Sequence, residues 1–264
     1  MKILFIGDIV GEAGRRVVKK YVPNLRKKHQ IDIVIANGEN MAGGFGVTPQ
    51  TYLEVIQSGV DIVTGGNHSF DKKEAMDLHQ REELLLRPAN YPSELPGQGF
   101  CRYTSTQAHK LLVINLMGRV FMDPLDCPFR AFDKIYEANK DFSPCIFVDF
   151  HAETTSEKMA FGWHIEGRAS AIVGTHTHIQ TADERILPKG TAYLTDAGMT
   201  GPYDSVIGVV KESVVERYVL KRGKKFEAAE RDPWLCGAII EIDDKTGQAQ
   251  KIERLRLEAS KDEV

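Results

Sequence analysis

Asp8, Glu39, Asn40, Asn67, His151, His176 and His178 are seven hard or borderline donors, and each stands at or just past the end of a short apolar run. Carboxylate and amide oxygens mixed with imidazole nitrogens, without a thiolate, suit Mn, Fe, Zn or Co and argue against a structural zinc. His176-Thr177-His178 adds geometry. In an extended chain residues two apart face one way, and in a tight loop just past a strand both imidazoles can still converge on neighbouring ions. Two divalent ions beside two carboxylates and one bridging hydroxide retain about one positive charge, which attracts a phosphodiester anion. Two ions roughly 4 Å apart activate a water and neutralise the oxygens of an in-line displacement. His68 adjoins Asn67, so the two side chains cannot easily face the same way. If Asn67 is a ligand, His68 turns toward the substrate's place and becomes a candidate general acid. Its plainer role is to hold a water or a phosphate.

Strand, helix and strand alternate in front of these donors. Apolar β-branched runs predict strands at 3–6, 31–36 and 60–64, with helices over 14–28 (despite Pro23), 48–58 and 72–84 between and after them. Thr48-Pro49 is an N-cap followed by proline at the first helical position, and Gly59 is the stop. Further strands are expected at 111–116, 145–150, 171–174 and 192–195. The runs 237–242 and 251–257 flank Asp244-Lys245-Thr246-Gly247 as an antiparallel hairpin. In open α/β sheets ligands bind at the carboxyl ends of the strands, so separate strand ends can deliver these donors to one place. Gly38, Gly43, Gly44, Gly46, Gly65 and Gly66 lie in the same connections, where backbone must approach a ligand or turn tightly. Residues 87–99 form a Pro- and Gly-rich loop, and 259–264 form a polar, frayed end.

Bulk properties agree. The chain has 264 residues, 42% hydrophobic and 27% charged, with a formal net charge of −3. One large α/β domain spanning 1–264 accommodates this length, and the charge points to no general nucleic-acid-binding surface, leaving room for a local basic patch. The N-terminal apolar run is one strand long and no segment approaches the roughly 20 apolar residues of a membrane span, which places the protein in the cytoplasm. Cys101, Cys127, Cys145 and Cys236 are widely spaced and are expected to be reduced and mostly buried. Gly7 to Gly14 has the wrong spacing for a dinucleotide fingerprint. The runs Lys19-Lys20, Arg26-Lys27-Lys28 and 221–225 are expected to be solvated, His29, His79 and His109 to be surface residues, and His164 has no assigned role.

The motifs carry a resemblance. Segments 5–11, Asn37-Gly-Glu-Asn-Met-Ala-Gly-Gly44, Gly66-Asn-His68, Arg87 to Pro92, Asp149 to Lys158, Gly174-Thr-His-Thr-His178 and Thr195 to Gly208 resemble, in order and over nearly the whole chain, the YmdB-type branch of the calcineurin-like metallophosphoesterases. The wider superfamily's Asp-x-His is here Asp8-Ile9-Val10, and its Gly-Asp-x-x-Asp is replaced by Asn37 to Asn40. The resemblance implies a four-layer α/β/β/α sandwich with mixed sheets and a dinuclear centre of two divalent ions, iron or manganese. Glu39 would bridge the ions. Asp8, Asn40 and His178 would hold one, Asn67, His151 and His176 the other, and His68 would be the proton donor. The implied activity is a phosphodiesterase on small phosphodiesters, with 2′,3′-cyclic nucleotides as the substrate class, acting through a metal-activated hydroxide. A homo-oligomer is expected, with residues 201–225, which carry a helical stretch, as a small cap or an oligomer contact. The alternatives are a phosphomonoesterase, whose dianionic substrate needs more positive charge, and a non-enzymatic centre that binds a nucleotide or RNA end and acts on gene expression.

Overall fold

Ile3, Leu4, Phe5 and Ile6 are all fully buried, which a strand achieves only when both its faces are covered. Leu4 and Ile6 face one core with Val34 and Ala36, while Ile3 and Phe5 face a second with Ile33 and Ile35. The same two-residue period recurs farther on: Leu111, Val113 and Phe147 join that second core, and Leu112, Ile114, Ile146, Val148 and Phe150 build a third. Three cores imply four layers. Each fully buried Ile or Phe contributes about 1.5–3 kcal/mol.

The computed structural model describes residues 1–222 and 225–259. In chain order it contains β1 (Lys2–Ile6), α1 (Gly11–His29), β2 (Ile33–Asn37), α2 (Pro49–Gln57), β3 (Ile62–Thr64), α3 (Ala75–Arg81), β4 (Phe100–Thr104), β5 (Lys110–Met117) and α4 (Pro128–Asn139). Then come β6 (Ile146–His151), α5 (Thr155–Ile165), β7 (Ala171–Thr175), β8 (Arg185–Ile186), β9 (Ala192–Leu194), β10 (Gly201–Pro202), α6 (Lys211–Leu220), β11 (Pro233–Ile242) and β12 (Ala249–Glu258). One sheet has the order β10-β11-β1-β2-β3 with β12 on β11, the other β4-β5-β6-β7-β9-β8. Both are mixed: β1-β2-β3 and β5-β6-β7-β9 are parallel, and the flanking strands are antiparallel. The hairpin expected around residues 244–247 is β11-β12. Among the described residues no helix is long and apolar enough to cross a membrane.

Several boundaries moved for local reasons. Gln30 ends α1 in the left-handed region (φ 54), and Ile31 N–H donates to the Arg26 carbonyl, so β2 starts at Ile33 rather than 31. Thr48 does cap α2: its Oγ1 accepts from Thr51 N–H at 3.3 Å. The helix expected over 72–84 shrinks to α3 because Asp71 N–H bonds back to the His68 carbonyl, while Leu84 and Leu86 pair with Val63. Arg26 is half-buried against Asp61, not solvated. Cys145 and Cys236 are buried and Cys101 and Cys127 half-buried, all four free. The frayed end expected for 259–264 lies, beyond Ala259, outside the described residues, as do two positions of the basic run 221–225.

His79 corrects a surface expectation: it is buried, tilted against Phe70 at 4.8 Å, with Nδ1 3.3 Å from the Leu85 carbonyl and no partner for Nε2. Its polar neighbours in sequence sit on the outer face of α3 while the ring points inward. Burial lowers its pKa to about 4, so the unfolded chain binds a proton that the folded one refuses between about 6.5 and 4. Stability therefore rests at its full value above 6.5 and falls as pH drops toward 4, by up to about 3 kcal/mol from this ring. Urea unfolding of the chelator-treated protein against His79→Leu checks it: the wild type should lose that much more than the variant over this pH window.

Candidate metal centre

Parallel pairing sends the ends of β1, β2 and β3 to one edge of the first sheet, and those of β6 and β7 to one edge of the second. Asp8, Glu39, Asn40 and Asn67 follow the former strands; His151 ends β6, and His176 and His178 follow β7. The two edges are tied by Asn37 Nδ2 donating to Asp149 Oδ2 at 3.0 Å and by the Thr64 hydroxyl donating to the same oxygen. All seven sequence candidates thus come from both sheets to one place. Gly66 makes room for it: a Cβ there would lie 2.4 Å from Glu39 Oε2 and from His151 Nε2.

The imidazoles share one arrangement. His151 Nδ1 is 2.9 Å from Thr175 Oγ1, whose hydroxyl donates to Asp149 Oδ1 at 2.7 Å, so the ring nitrogen carries the hydrogen. His176 Nε2 faces the Glu153 carboxylate at 3.1 Å, and His178 Nδ1 donates to the Ile207 carbonyl at 2.9 Å. With its outer nitrogen committed as a donor, each ring turns its other nitrogen inward.

These inward atoms crowd one another. His151 Nε2 lies 2.9 Å from Asn67 Oδ1, 3.0 Å from His176 Nδ1 and 3.3 Å from Glu39 Oε1. Asp8 Oδ1 is buried with no hydrogen-bond partner, 3.9 Å from His178 Nε2. Asn40 Nδ2 donates to Glu39 Oε1 at 2.9 Å and faces His178 Nε2 at 3.2 Å; a half-turn of the amide presents its oxygen instead. A buried acceptor left unpaired costs about 1–3 kcal/mol, and acceptors converging on each other ask for a cation. Among the described residues two groups bring ligand atoms within 4.8 Å of one another, Glu39-His151-His176 and Asp8-Glu39-His178, and Glu39 belongs to both. The donor set therefore fits a pair of divalent ions sharing one carboxylate.

The charges agree. Burial raises Asp8, opposed by His178 and His151. Burial would raise Glu39 and lower His151, but each outweighs this for the other, so the carboxyl is held far down and the imidazole is raised. Burial, then the charge on His151, pushes His176 down to about 3. In the protein alone a proton on His151 does what a cation would do better.

His68 stands apart. Its backbone N–H donates to Glu39 Oε2 at 3.0 Å, but its ring turns outward, with Nδ1 2.6 Å from Asp71 Oδ2. Phe45 packs 6.3 Å from that ring, and Lys72 Nζ lies 4.1 Å from the Phe45 centroid. His164 pairs with Asp133 and His109 with Asp244, outside the centre. Sequence reasoning missed Asp149, Thr175, Glu153 and Asp71, which orient the rings. Two signals were present: Asp149 is two residues before His151 and so shares its face of β6, and Asp71 is three residues past His68.

The sequence and fold have relatives. A model of the YmdB-like protein family matches residues 4–255. The chain is 52% identical over 255 residues to the 2′,3′-cyclic-nucleotide 2′-phosphodiesterase of Bacillus subtilis (strain 168), covering 97% of this chain and 96% of that one. A hypothetical protein from Thermus thermophilus superposes with a TM-score of 0.92 at 43% identity, covering 98% of this chain and 99% of its own. A novel phosphatase from Mycoplasma pneumoniae does so with 0.92 at 35%, covering 98% and 93%.

Proposed function

The chain belongs to the YmdB-like protein family, and on that premise we propose that it hydrolyses small phosphodiesters, with 2′,3′-cyclic nucleotides as the substrate class, at a centre of two divalent ions. The carrying observation is the convergence of three inward-turned imidazole nitrogens and the unpartnered Asp8 oxygen around Glu39. Glu39, which belongs to both ligand groups, would serve both ions. Asn67, His151 and His176 would hold one, and Asp8, Asn40 and His178 the other. Mixed oxygen and imidazole ligation suits iron or manganese. Bound there, the ions supply a water of lowered pKa and neutralise the phosphate oxygens.

The chain's own groups do the rest. Asp71 fixes the His68 ring by its Nδ1, which leaves Nε2 to hand a proton to the departing oxygen. The His68 backbone, by holding Glu39 Oε2, keeps that proton source in register with the bridging carboxylate. Phe45 beside His68 offers an aromatic face for a base, and Lys72 over its ring a cation for a phosphate. Asp8 and Glu39 bring two negative charges, which leaves a net charge suited to a monoanionic diester.

Metal analysis combined with turnover of 2′,3′-cyclic AMP and of p-nitrophenyl phosphate tests this. Two ions per chain and a diester preference of at least about tenfold are expected, from the smaller charge demand of the diester. Fewer than one ion per chain, or faster monoester turnover, contradicts the proposal.

A further inference from the structure

Behind the histidine loop lies a buried ion pair that takes no part in the chemistry above. Asp196 is 1% exposed, and its carboxylate gathers four donors. Oδ2 accepts from Lys158 Nζ at 2.6 Å, from Thr177 Oγ1 at 2.7 Å and from Thr177 N–H at 3.2 Å. Oδ1 accepts from Gly198 N–H at 2.8 Å. Lys158 arrives from α5 with its side chain 2% exposed and runs past Gly174, where a Cβ would stand 3.0 Å from its Cδ.

Apolar side chains of similar volume would serve stability as well as this pair does, since buried ion pairs seldom beat them. What the pair supplies is direction. Thr177 is held at both its amide and its hydroxyl, and its two neighbours are His176 with φ 98 and His178 with φ 66. Non-glycine residues persist in that region only where their surroundings over-determine them. The left-handed turns on either side of one pinned residue send His176 toward Glu39 and His151 and His178 toward Asp8 and Glu39.

We propose that Asp196, neutralised by Lys158, is a positioning residue that pins Thr177 and so aims His176 and His178 at different ions of the centre. Lys158 keeps the Asp196 carboxylate from adding its charge to those of Asp8 and Glu39. This inference rests on the two-ion reading, which the wild-type stoichiometry tests separately.

The experiment is titration of chelator-stripped protein with Mn²⁺, with free Mn²⁺ counted by electron paramagnetic resonance, on wild type, Thr177→Val and Thr177→Ser. Loss of a group that orients a ligand typically weakens metal binding about 10- to 100-fold. Thr177→Val should show that loss for both ions, and Thr177→Ser, which restores the hydroxyl, should bind within about threefold of wild type. The metal-free melting curves and circular dichroism of the variants report whether the fold is kept, and Thr177→Ala replaces the valine variant should it misfold. Wild-type affinity in the hydroxyl-less variants, equal weakening with serine, or weakening of one ion alone overturns the proposal. A wild type that binds fewer than two ions overturns the two-ion reading instead.

Discussion

Glu39→Gln is expected to leave the protein with one ion or none and to lower diester turnover by at least about a thousandfold. Glu39 is the one side chain common to both ligand groups, with its two oxygens engaged in different directions: Oε1 toward His151 and Asn40, Oε2 toward the His68 amide. Glutamine keeps the shape but offers one neutral oxygen, so it can serve one ion at most. The stabilisation an ion gives to developing phosphate charge is worth several kcal/mol, and each 1.4 kcal/mol is a factor of ten in rate. A binding readout goes with the kinetic one. Metal at a hundredfold its dissociation constant stabilises a folded protein by about 2.7 kcal/mol, roughly 5–10 °C in Tm for a chain of this size. The wild type should show that rise with Mn²⁺, and Glu39→Gln little of it. A variant that retains two ions and turns over within tenfold of wild type would remove Glu39 from the bridging position.

His68→Ala is expected to leave metal content unchanged and to lower kcat by about 10²–10⁴-fold on a cyclic nucleotide, the range that general acid catalysis supplies. The ring does not touch the ligand groups, and the backbone N–H that holds Glu39 survives the substitution. The dependence on leaving group is the sharper measurement. Nitrophenolate departs without a proton, whereas a sugar alkoxide needs one, so the defect should shrink severalfold or more on bis-p-nitrophenyl phosphate. Asp71→Asn should reproduce part of the loss, because Asp71 Oδ2 is the partner of Nδ1. Combined with His68→Ala it should add nothing, since the two act as one unit. An equal defect on both substrates would assign His68 to binding rather than proton transfer.

That these candidates would meet was legible because strand ends are legible. An apolar run followed at once by Asp, Glu, Asn or His is anomalous in a one-sequence reading, and parallel strands carry such anomalies to one edge. The four layers came from resemblance, but the cores carry the same message in the alternation of Ile3 and Phe5 against Leu4 and Ile6. Two helices were missed, α4 and α5. For α5 the reason is that its stripe is mixed: Phe161 and Ile165 are buried, but so are Glu157 and Lys158, while Met159 and Trp163 are exposed. Glu157 is drawn inward because its carboxylate accepts from the amides of Arg119 and Val120, and Lys158 because Asp196 waits beneath β7. A helix recruited for polar anchorage hides from any test based on an apolar stripe. Its cap, Thr154 accepting from Glu157 N–H, was nonetheless readable as a threonine followed three residues later by glutamate. His79 failed in the opposite direction, since neighbours along the chain do not tell which side of a short helix a ring occupies.

Asp8, Glu39, Asn40 and Asn67 follow strands of one sheet, while His151 ends a strand of the other and His176 and His178 follow its neighbour. An ion seated among them is a rivet through the open end of a two-leaved book, joining leaves that elsewhere meet mainly through greasy side chains. Where metal is scarce, chains without the proposed ions would lose that fastening along with their chemistry, and as the less stable population would be the ones that proteases reach first.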